Sequence, residues 1–140
     1  MTVKVKVEAR VALKAVRDRA RKAQTLNKPL RKSGLLEERE HKLNFARESD
    51  PDGAGWAPLA ASTLRQKRGG GILKETGALS ASIAMIGPSG NQVKVASQGV
   101  PYGIYHQTGT GKMPARKFMG IADRRIPKHQ KIFADHMGTS

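Results

Sequence analysis

The stretch of sequence that decides the fold lies at residues 102–120 and reads YGIYHQTGTGKMPARKFMG. It begins with an apolar run, continues through a loop that is punctuated by glycines, and ends with a Pro-Ala-Arg triplet at residues 114–116. The apolar pair Phe118 and Met119 follows this triplet. The order predicts a strand over residues 102–108, then a loop, and then an exit segment that docks on the core.

Two further regions are predicted to form strands of the same sheet. Residues 83–86 and 92–97 flank the turn-forming sequence Gly-Pro-Ser-Gly-Asn at residues 87–91, which predicts a β-hairpin. Near the N-terminus, residues 3–7 alternate valine with lysine, the period of a strand with one buried face. Together with residues 102–108, these segments predict an antiparallel sheet of about four strands.

Three helices are predicted to pack on this sheet. Over residues 9–24, alanines and larger aliphatic residues recur at helical spacing and basic residues occupy the opposite face, which predicts a basic amphipathic helix. Ser33 is predicted to cap a second helix that runs to about Glu48. A C-terminal helix is predicted over residues 121–137, with Pro127 tolerated only if it lies near the first turn.

The length favours one domain, because 140 residues can bury a single core but are too few for two well-packed ones. The predicted fold class is α+β, with the small antiparallel sheet packed by the basic N-terminal helix, the second helix and the C-terminal helix. The predicted parts of this single domain, residues 1–140, are a strand plus helices at 1–48, a loop region at 49–71, a β-meander with the motif loop at 72–120, and a C-terminal helix and tail at 121–140.

The loop region contains strong turn signals. Residues 49–53 read Ser-Asp-Pro-Asp-Gly, a cluster that cannot continue a helix. Trp56 is the only tryptophan, and we expect it to anchor this loop to the core, with an interface hot spot as the sharper alternative. Three consecutive glycines at residues 69–71 predict a mobile tip.

The dominant global property is charge, since 26 Lys and Arg stand against 11 Asp and Glu and give a net charge of +15. Such an excess favours polyanions as neighbours, either by direct contact with nucleic acid or by residence in a DNA-rich assembly. A solvated helix face is the plainer interpretation of the basic run in residues 1–32. The candidate polyanion contacts are Arg10, Lys14, Arg17, Arg21, Lys22, Arg124, Arg125 and Lys128.

The composition also excludes several classes of protein. Cysteine is absent, which excludes disulfides and thiolate metal sites and fits a protein that folds in a reducing cytosol. No apolar run approaches the roughly 20 residues that a membrane span needs, and the alternating N-terminus is not typical of a signal peptide. We therefore expect a soluble, unexported chain without a membrane partner.

No catalytic or cofactor motif survives inspection. Residues 109–112 read Gly-Thr-Gly-Lys, like the end of a phosphate-binding loop, but His106 stands where that motif needs glycine and Met113 where it needs Ser or Thr. No two of the four histidines have the i, i+4 spacing of a zinc-binding helix. His106 has no serine or acid tied to it, so we expect a structural histidine that is hydrogen-bonded to the loop backbone. The expectation is a non-enzyme without cofactor or metal.

Several motifs in combination resemble the phage virion morphogenesis family, whose members include tail-completion proteins of contractile-tailed phages. The His-Gln-x-Gly element at residues 106–109 and the Pro-Ala-Arg-x-Phe element at residues 114–118 are fairly specific together. The first 40 residues carry no motif of the family. The segments that carry the resemblance are residues 45–53, 56–59, 72–73, 76–79, 82–83, 102–109 and 113–120.

The resemblance implies a non-enzymatic virion protein with a tail-terminator-like fold, which forms a ring, commonly of six copies, at the head–tail junction. The ring would cap the tail tube and join it to the neck, so the implied partners are further copies of the chain, tail tube and sheath proteins, and neck or connector proteins. The implied location is the virion tail or neck, after assembly in the host cytoplasm. The residues implied at or near a subunit contact are Asp50, Pro51, Gly53, Trp56, Gly77, Leu79, His106, Gln107, Gly109, Pro114, Ala115, Arg116 and Phe118.

On this interpretation the motif loop is an assembly element. Pro114 is expected to stiffen the turn, Phe118 to dock, and Arg116 to bind a carboxylate in the same subunit or on a neighbour. A function from another class stays open, namely a small basic DNA-binding accessory protein, which the net charge and the two basic regions favour.

Overall fold

A computed structural model describes residues 2–66 and 77–138 of the chain. The predicted mobile glycines at residues 69–71 lie outside these ranges. The helices are α1 (Thr2–Gln24), α2 (Asn27–Arg47), α3 (Ala61–Gln66), α4 (Ala78–Ala81), α5 (Gly103–Thr108) and α6 (Ile126–Met137), and the strands are β1 (Ile83–Ser89) and β2 (Gln92–Ser97).

Helix α2 is the element on which the rest of the fold is built, since both strands, α4 and α6 all pack on it. Its close approach to the hairpin depends on Gly34, which is buried. A Cβ atom at this position would lie 2.6 Å from Sδ of Met85 and 2.7 Å from a methyl group of Val93. The missing side chain therefore lets the sheet lie directly on the helix.

The two strands form the predicted hairpin. They pair antiparallel, with Ile83 opposite Ser97 and Met85 opposite Val95, and the register shifts between Ile86 and Ser89. The described residues contain this two-stranded sheet and two isolated bridges, so the expected sheet of about four strands is wrong for the described part of the chain, whereas the α+β class is confirmed.

Residues 3–7, expected as the first strand, belong to helix α1. Positions 3 and 7 are four residues apart, so the same valines also fit a helical period. Because helix propagation adds one hydrogen bond for each residue fixed, the Ala-rich sequence that follows can extend its helix backward through this segment.

Residues 102–108, expected as another strand, form helix α5 and the turn before it. The apolar run did not decide this segment, because β-propensity depends strongly on packing context. Gly103 is buried in this helix, and a Cβ there would lie 3.0 Å from Cδ1 of Leu79. The helical turn thus brings the backbone itself against the core.

Helix boundaries agree with the sequence at some ends and differ at others. Helix α1 ends at Gln24 and α2 ends at Arg47, as predicted within a residue. Helix α2 begins at Asn27, however, so Ser33 is a buried residue inside the helix and not its cap. The C-terminal helix α6 begins at Ile126 and not at residue 121, so Pro127 lies in its first turn, where its missing N–H costs no helical hydrogen bond.

The hydrophobic core is a cluster of five buried side chains to which the hairpin, α2 and residues 113–120 all contribute. The ring of Phe45 lies 5.5 Å from that of Trp56 at 81° and 5.3 Å from that of Phe118 at 48°. Such edge and tilted arrangements are the favoured geometries of aromatic pairs. The other two members are Leu79 and Ile83. Among the described helices, none combines the length and the apolar character that crossing a membrane would require.

Candidate functional site

The exit segment, residues 113–120, is held along one side by helix α2. The side-chain amide of Asn44, which is 1% exposed, donates a 2.9 Å hydrogen bond from Nδ2 to the carbonyl of Phe118. His41 Nε2 lies 3.0 Å from the carbonyl oxygen of Gly120 and 3.2 Å from its amide nitrogen. These contacts join residues more than 70 positions apart, and sequence reasoning had assigned neither side chain to the site.

Helix α5 holds the other side of the exit segment through Gln107. Its Nε2 donates to the carbonyl of Met119 at 2.8 Å, and its Oε1 accepts from the N–H groups of Phe118 at 3.1 Å and Met119 at 3.2 Å. The carbonyl of His106 accepts from the N–H of Arg116 at 2.7 Å. The His-Gln pair thus provides hydrogen-bond partners for main-chain N–H and C=O groups of an extended segment that belongs to no sheet. Buried main-chain groups need such partners.

Arg116 does not meet the expected carboxylate within the described part of the chain. Its side chain is buried, and it donates from Nε to the carbonyl of Ala57 at 2.8 Å and from one terminal nitrogen to that of Pro58 at 2.9 Å. Trp56 Nε1 donates to the carbonyl of Lys117 at 2.7 Å. The arginine and the tryptophan therefore join the loop after α2 to the exit segment, and the expected anchoring role of Trp56 is confirmed.

The turn between α5 and the exit segment requires glycine at position 109. Gly109 has φ of +75°, and a Cβ there would lie 2.7 Å from the amide nitrogen of Ala115. Beyond it, Thr110 and Met113 pair in an isolated bridge. A left-handed backbone with no room for a side chain explains why the motif has glycine here.

The loop at residues 50–55 is an Asx-type turn that packs beside the same segment. Asp50 Oδ1 accepts hydrogen bonds from the N–H groups of Asp52 and Ala54, both at 2.9 Å. Pro51 is buried, and a Cβ atom placed on Gly120 would lie 3.2 Å from its Cγ atom. The two motif regions that are separated in sequence are therefore in contact.

A buried ionic network closes the far end of the exit segment. Arg125 donates from Nε and a terminal nitrogen to the two carboxylate oxygens of Glu37, both at 2.9 Å, and from the same terminal nitrogen to the carbonyl of Gly120. His129 Nε2 lies 2.7 Å from Glu37 Oε1, and His41 Nε2 lies 3.3 Å from Glu37 Oε2. Sequence reasoning missed this network, although Glu37 with His41 and Arg125 with His129 both have the i, i+4 spacing of side chains on one helix face.

The network shifts the pKa values of its members. Burial alone would raise the pKa of the Glu37 carboxyl, but the hydrogen bonds from Arg125 and His129 outweigh it and leave the pKa below its ordinary value. The hydrogen bond to Glu37 raises the pKa of Arg125. Burial lowers the pKa of His41 against the opposing effect of its contact with Gly120, so the neutral imidazole is favoured.

His106 has the environment of a structural residue. Burial, and then the nearby charge of Arg116, lower the pKa of its imidazole. Its ring stands edge-on to that of Tyr102 at 5.9 Å, and its Nδ1 atom has no hydrogen-bond partner among the described residues. The expected bond to the loop backbone is formed by its carbonyl and not by its ring.

The residues expected at a subunit contact fall into three groups by exposure. One group supports the fold from inside, since Pro51, Trp56, Leu79, Arg116 and Phe118 are buried. Near the motif turn, Pro114 and Ala115 are exposed, and so are Gly53 and Gly77 in the loops before α3 and α4. The remaining four, Asp50, His106, Gln107 and Gly109, are half-buried.

The surface that this framework presents is apolar and aromatic. Tyr102 is 44% exposed, Ile104 58% and Tyr105 55%, all on or beside helix α5. Ile104 and Tyr105 lie on a helix that is held by the packing of Gly103 and the hydrogen bonds of Gln107, and Tyr102 directly precedes this helix. The fold therefore fixes the orientation of the group, and the ring of Tyr102 also stands edge-on to that of His106.

The predicted polyanion contacts are exposed with one exception. On α1, Arg10, Lys14, Arg17, Arg21 and Lys22 are exposed, and so are Arg124 and Lys128 near the start of α6. Arg125 is 2% exposed and bonded to Glu37, so its assignment to a polyanion surface is wrong. Among the described residues, no group of three or more His, Asp or Glu side chains has the arrangement of a metal site.

Comparison with known proteins agrees with the motif pattern. A model of the phage virion morphogenesis family matches residues 7–138. The match extends over α1 and α6, beyond the segments whose motifs resembled the family. The chain matches no curated protein and no solved structure.

Proposed function

The chain belongs to the phage virion morphogenesis family, and on that premise we propose that it is a tail completion protein of the tail-terminator type, which forms a ring at the head–tail junction. The family gives the coarser statement directly: this is a virion-associated protein with a structural or assembly role, in a family that is not enzymatic. The proposal adds the ring, its expected six copies, and its place between the tail tube and the neck.

The observation that carries the proposal is the rigid apolar surface on helix α5. Tyr102, Ile104 and Tyr105 expose large apolar groups within four consecutive residues, and aromatic residues of this kind are enriched at the centres of protein interfaces. The hydrogen bonds of Gln107 fix the helix before any partner arrives, so little ordering entropy is lost on association. A preformed surface of this kind suits repeated assembly of identical subunits.

A ring follows from such a surface if its complement lies elsewhere on the same molecule, because head-to-tail contacts that close by rotation produce cyclic oligomers. Tail tube, sheath and neck or connector proteins are the proposed neighbours above and below the ring.

The proposal is tested by measuring the mass of the purified protein by light scattering and imaging it by negative stain. We expect a closed ring, and we expect Ile104→Asp to reduce it to smaller species while Asn91→Asp, which adds the same charge at an exposed position of the hairpin turn, leaves it intact. A protein that stays monomeric at high concentration and does not associate with purified tail tubes would contradict the proposal.

A second candidate function, that of a DNA-binding accessory protein, is favoured by one observation. Arg10, Lys14, Arg17 and Arg21 are exposed along α1 at intervals of three or four residues, which places them on a single helix face. Basic side chains in a row can follow a phosphate backbone.

The two candidates differ in their salt dependence. If the basic face binds DNA, Arg17→Ala should lower the slope of log affinity against log salt by about 0.9, the value for one phosphate contact. Arg19→Ala removes the same charge from nearly the opposite face of the helix and should leave the slope unchanged. Equal effects of the two variants would indicate general charge attraction only.

A further inference from the structure

Helix α1 is almost without tertiary support. Every described side chain from Arg10 to Gln24 is exposed except that of Asp18, which is half-buried. The helix meets the rest of the chain near its C-terminal end, where His136 Nε2 lies 3.0 Å from the carbonyl of Lys22. The helix therefore projects from the domain over most of its described length.

A helix of this kind needs a partner. Isolated helices are marginal in water even when their sequences favour helix, and most helical stability in proteins comes from packing of an apolar face. Leu13 is 54% exposed and Val16 61%. Their side chains belong to an apolar stripe at helical spacing, which consists of Ala12, Leu13, Val16, Ala20 and Ala23.

The domain also contains an apolar cleft with no occupant in the described chain. It has a volume of about 450 Å³ and lies between α2, β2, the exit segment and α6. The polar part of its lining comes from Ser33, Glu37, His41 and His129, and the buried hydroxyl of Ser33 has no hydrogen-bond partner among the described residues. The lining includes Gly34, Val93, Val95, Met119, Ile121 and Phe133.

The apolar surface continues beyond the cleft itself. Ile121 is 61% exposed at its edge, and Ile126 is 43% exposed. Ile126 precedes the lining residue Phe133 by seven positions, so both lie on one face of α6. Between the two isoleucines, the exposed Asp123 adds a negative charge.

We propose that the apolar stripe of α1 docks in this cleft on a second copy of the chain. Each copy supplies one half of the contact: a helix whose apolar stripe is exposed, and a groove that no helix fills in the described part of the chain. An amphipathic helix that lays anchors at i, i+3 and i+7 into an apolar groove is a recurring mode of recognition, and Leu13, Val16 and Ala20 have this spacing.

Charge also favours the same occupant. Residues 2–24 carry eight Lys or Arg against Glu8 and Asp18, so two α1 helices would repel each other if they paired directly. Arg17 adjoins the stripe, and the exposed Asp123, two residues after the lining residue Ile121, is a carboxylate with which it could pair. The contact is heterologous and would link successive subunits, so the inference rests on the proposed ring and specifies one of its interfaces.

Disulfide trapping tests this contact without background, since the chain has no cysteine. Chains carrying Val16→Cys are mixed with chains carrying Ile121→Cys and oxidised gently. We expect a covalent dimer between the two kinds of chain, and a ladder of larger species when one chain carries both substitutions. Val11→Cys is the matched control: Val11 is 65% exposed on the same helix but about 140° away from Val16 around its axis.

Introducing a charge into the apolar stripe tests the docking of α1 independently. Val16→Asp should weaken self-association by about tenfold or more, whereas Val11→Asp should leave it near the wild-type value. Both residues are exposed within one chain, so neither variant should change unfolding of the single subunit by urea. The unfolding measurement separates loss of the contact from loss of the fold.

These experiments distinguish failure of the α1 contact from failure of the proposed ring. A disulfide within one chain, or equal trapping through Val11→Cys, would overturn the docking of α1 on a second copy. A ring that survives Val16→Asp would also overturn it and leave the proposed function standing. A wild-type chain that never self-associates would contradict both.

Discussion

Arg125 and Glu37 are joined side by side by two buried hydrogen bonds of 2.9 Å, although 88 residues separate them in the sequence. This bidentate pair links the start of α6 to the middle of α2, and Arg125 also donates a hydrogen bond to the carbonyl of Gly120. The pair thereby fixes the end of the exit segment, and the side chains of His41 and His129 complete the network.

Breaking this pair should be costly. Arg125→Met leaves the Glu37 carboxylate buried without its main partner, and we expect the free energy of unfolding to fall by about 3–5 kcal/mol. Urea titration followed by the fluorescence of Trp56 measures this loss. The neighbouring exposed residue provides the control, because Arg124→Met should change stability by no more than about 0.5 kcal/mol. Similar losses in the two variants would contradict the structural role of the pair.

The turn at Gly109 should not tolerate a side chain. In Gly109→Ala the new Cβ would lie 2.7 Å from the amide nitrogen of Ala115 in a left-handed backbone, so we expect a loss of more than about 1 kcal/mol. Gly111→Ala introduces the same methyl group two residues later, where no atom lies within 4 Å, and should be neutral. Thermal unfolding of both variants checks this, and an unaffected Gly109→Ala would show that the turn can rearrange.

The hydrogen bonds of Gln107 should contribute strongly to the stability of the fold. Gln107→Leu leaves the carbonyl of Met119 and the N–H groups of Phe118 and Met119 without their partner, and each buried unsatisfied group costs about 1–3 kcal/mol. We expect a total loss of at least about 2 kcal/mol in urea unfolding. The exposed Gln98→Leu is the matched control, and a loss there of equal size would assign the effect to the added leucine.

Stability should fall in two steps as the pH decreases. Burial lowers the pKa of His41 in the folded chain, so the unfolded chain takes up its proton first, and stability is lost as the pH falls below about 6.5. His106 acts in the same direction, since burial also lowers its pKa.

The second step belongs to carboxyl groups. The pKa of Glu37 lies below its ordinary value, and so does that of Glu38, whose carboxylate accepts a hydrogen bond from the N–H of Met85. Stability is therefore lost further as the pH falls below about 4.5. Urea unfolding at a series of pH values measures both steps, and His41→Gln should reduce the first. A free energy of unfolding that stays constant between pH 7.5 and 5.5 would contradict the contribution of the histidines.

Local sequence was enough where neighbouring residues decide the conformation. The hairpin at residues 83–97 and the turn at residues 49–53 follow from clusters of Gly, Pro, Asp and Asn, whose backbone preferences act over four or five residues. The ends of α1 and α2 and the anchoring of Trp56 were predicted for similar reasons. The motifs at residues 106–109 and 114–118 also indicated the family, which the match over residues 7–138 shows.

Tertiary structure decided the segments that local preferences leave open. The apolar run at residues 102–108 suits a strand or a helix, and only the packing of Gly103 against Leu79 and the reach of Gln107 to residues 118–119 make it a helix. Arg124 and Arg125 are adjacent arginines that the sequence does not distinguish, but Arg125 is buried because it pairs with the distant Glu37. Sequence by itself therefore determined the turns, the hairpin and the family, whereas the partners of buried polar groups were settled by contacts between residues far apart in the chain.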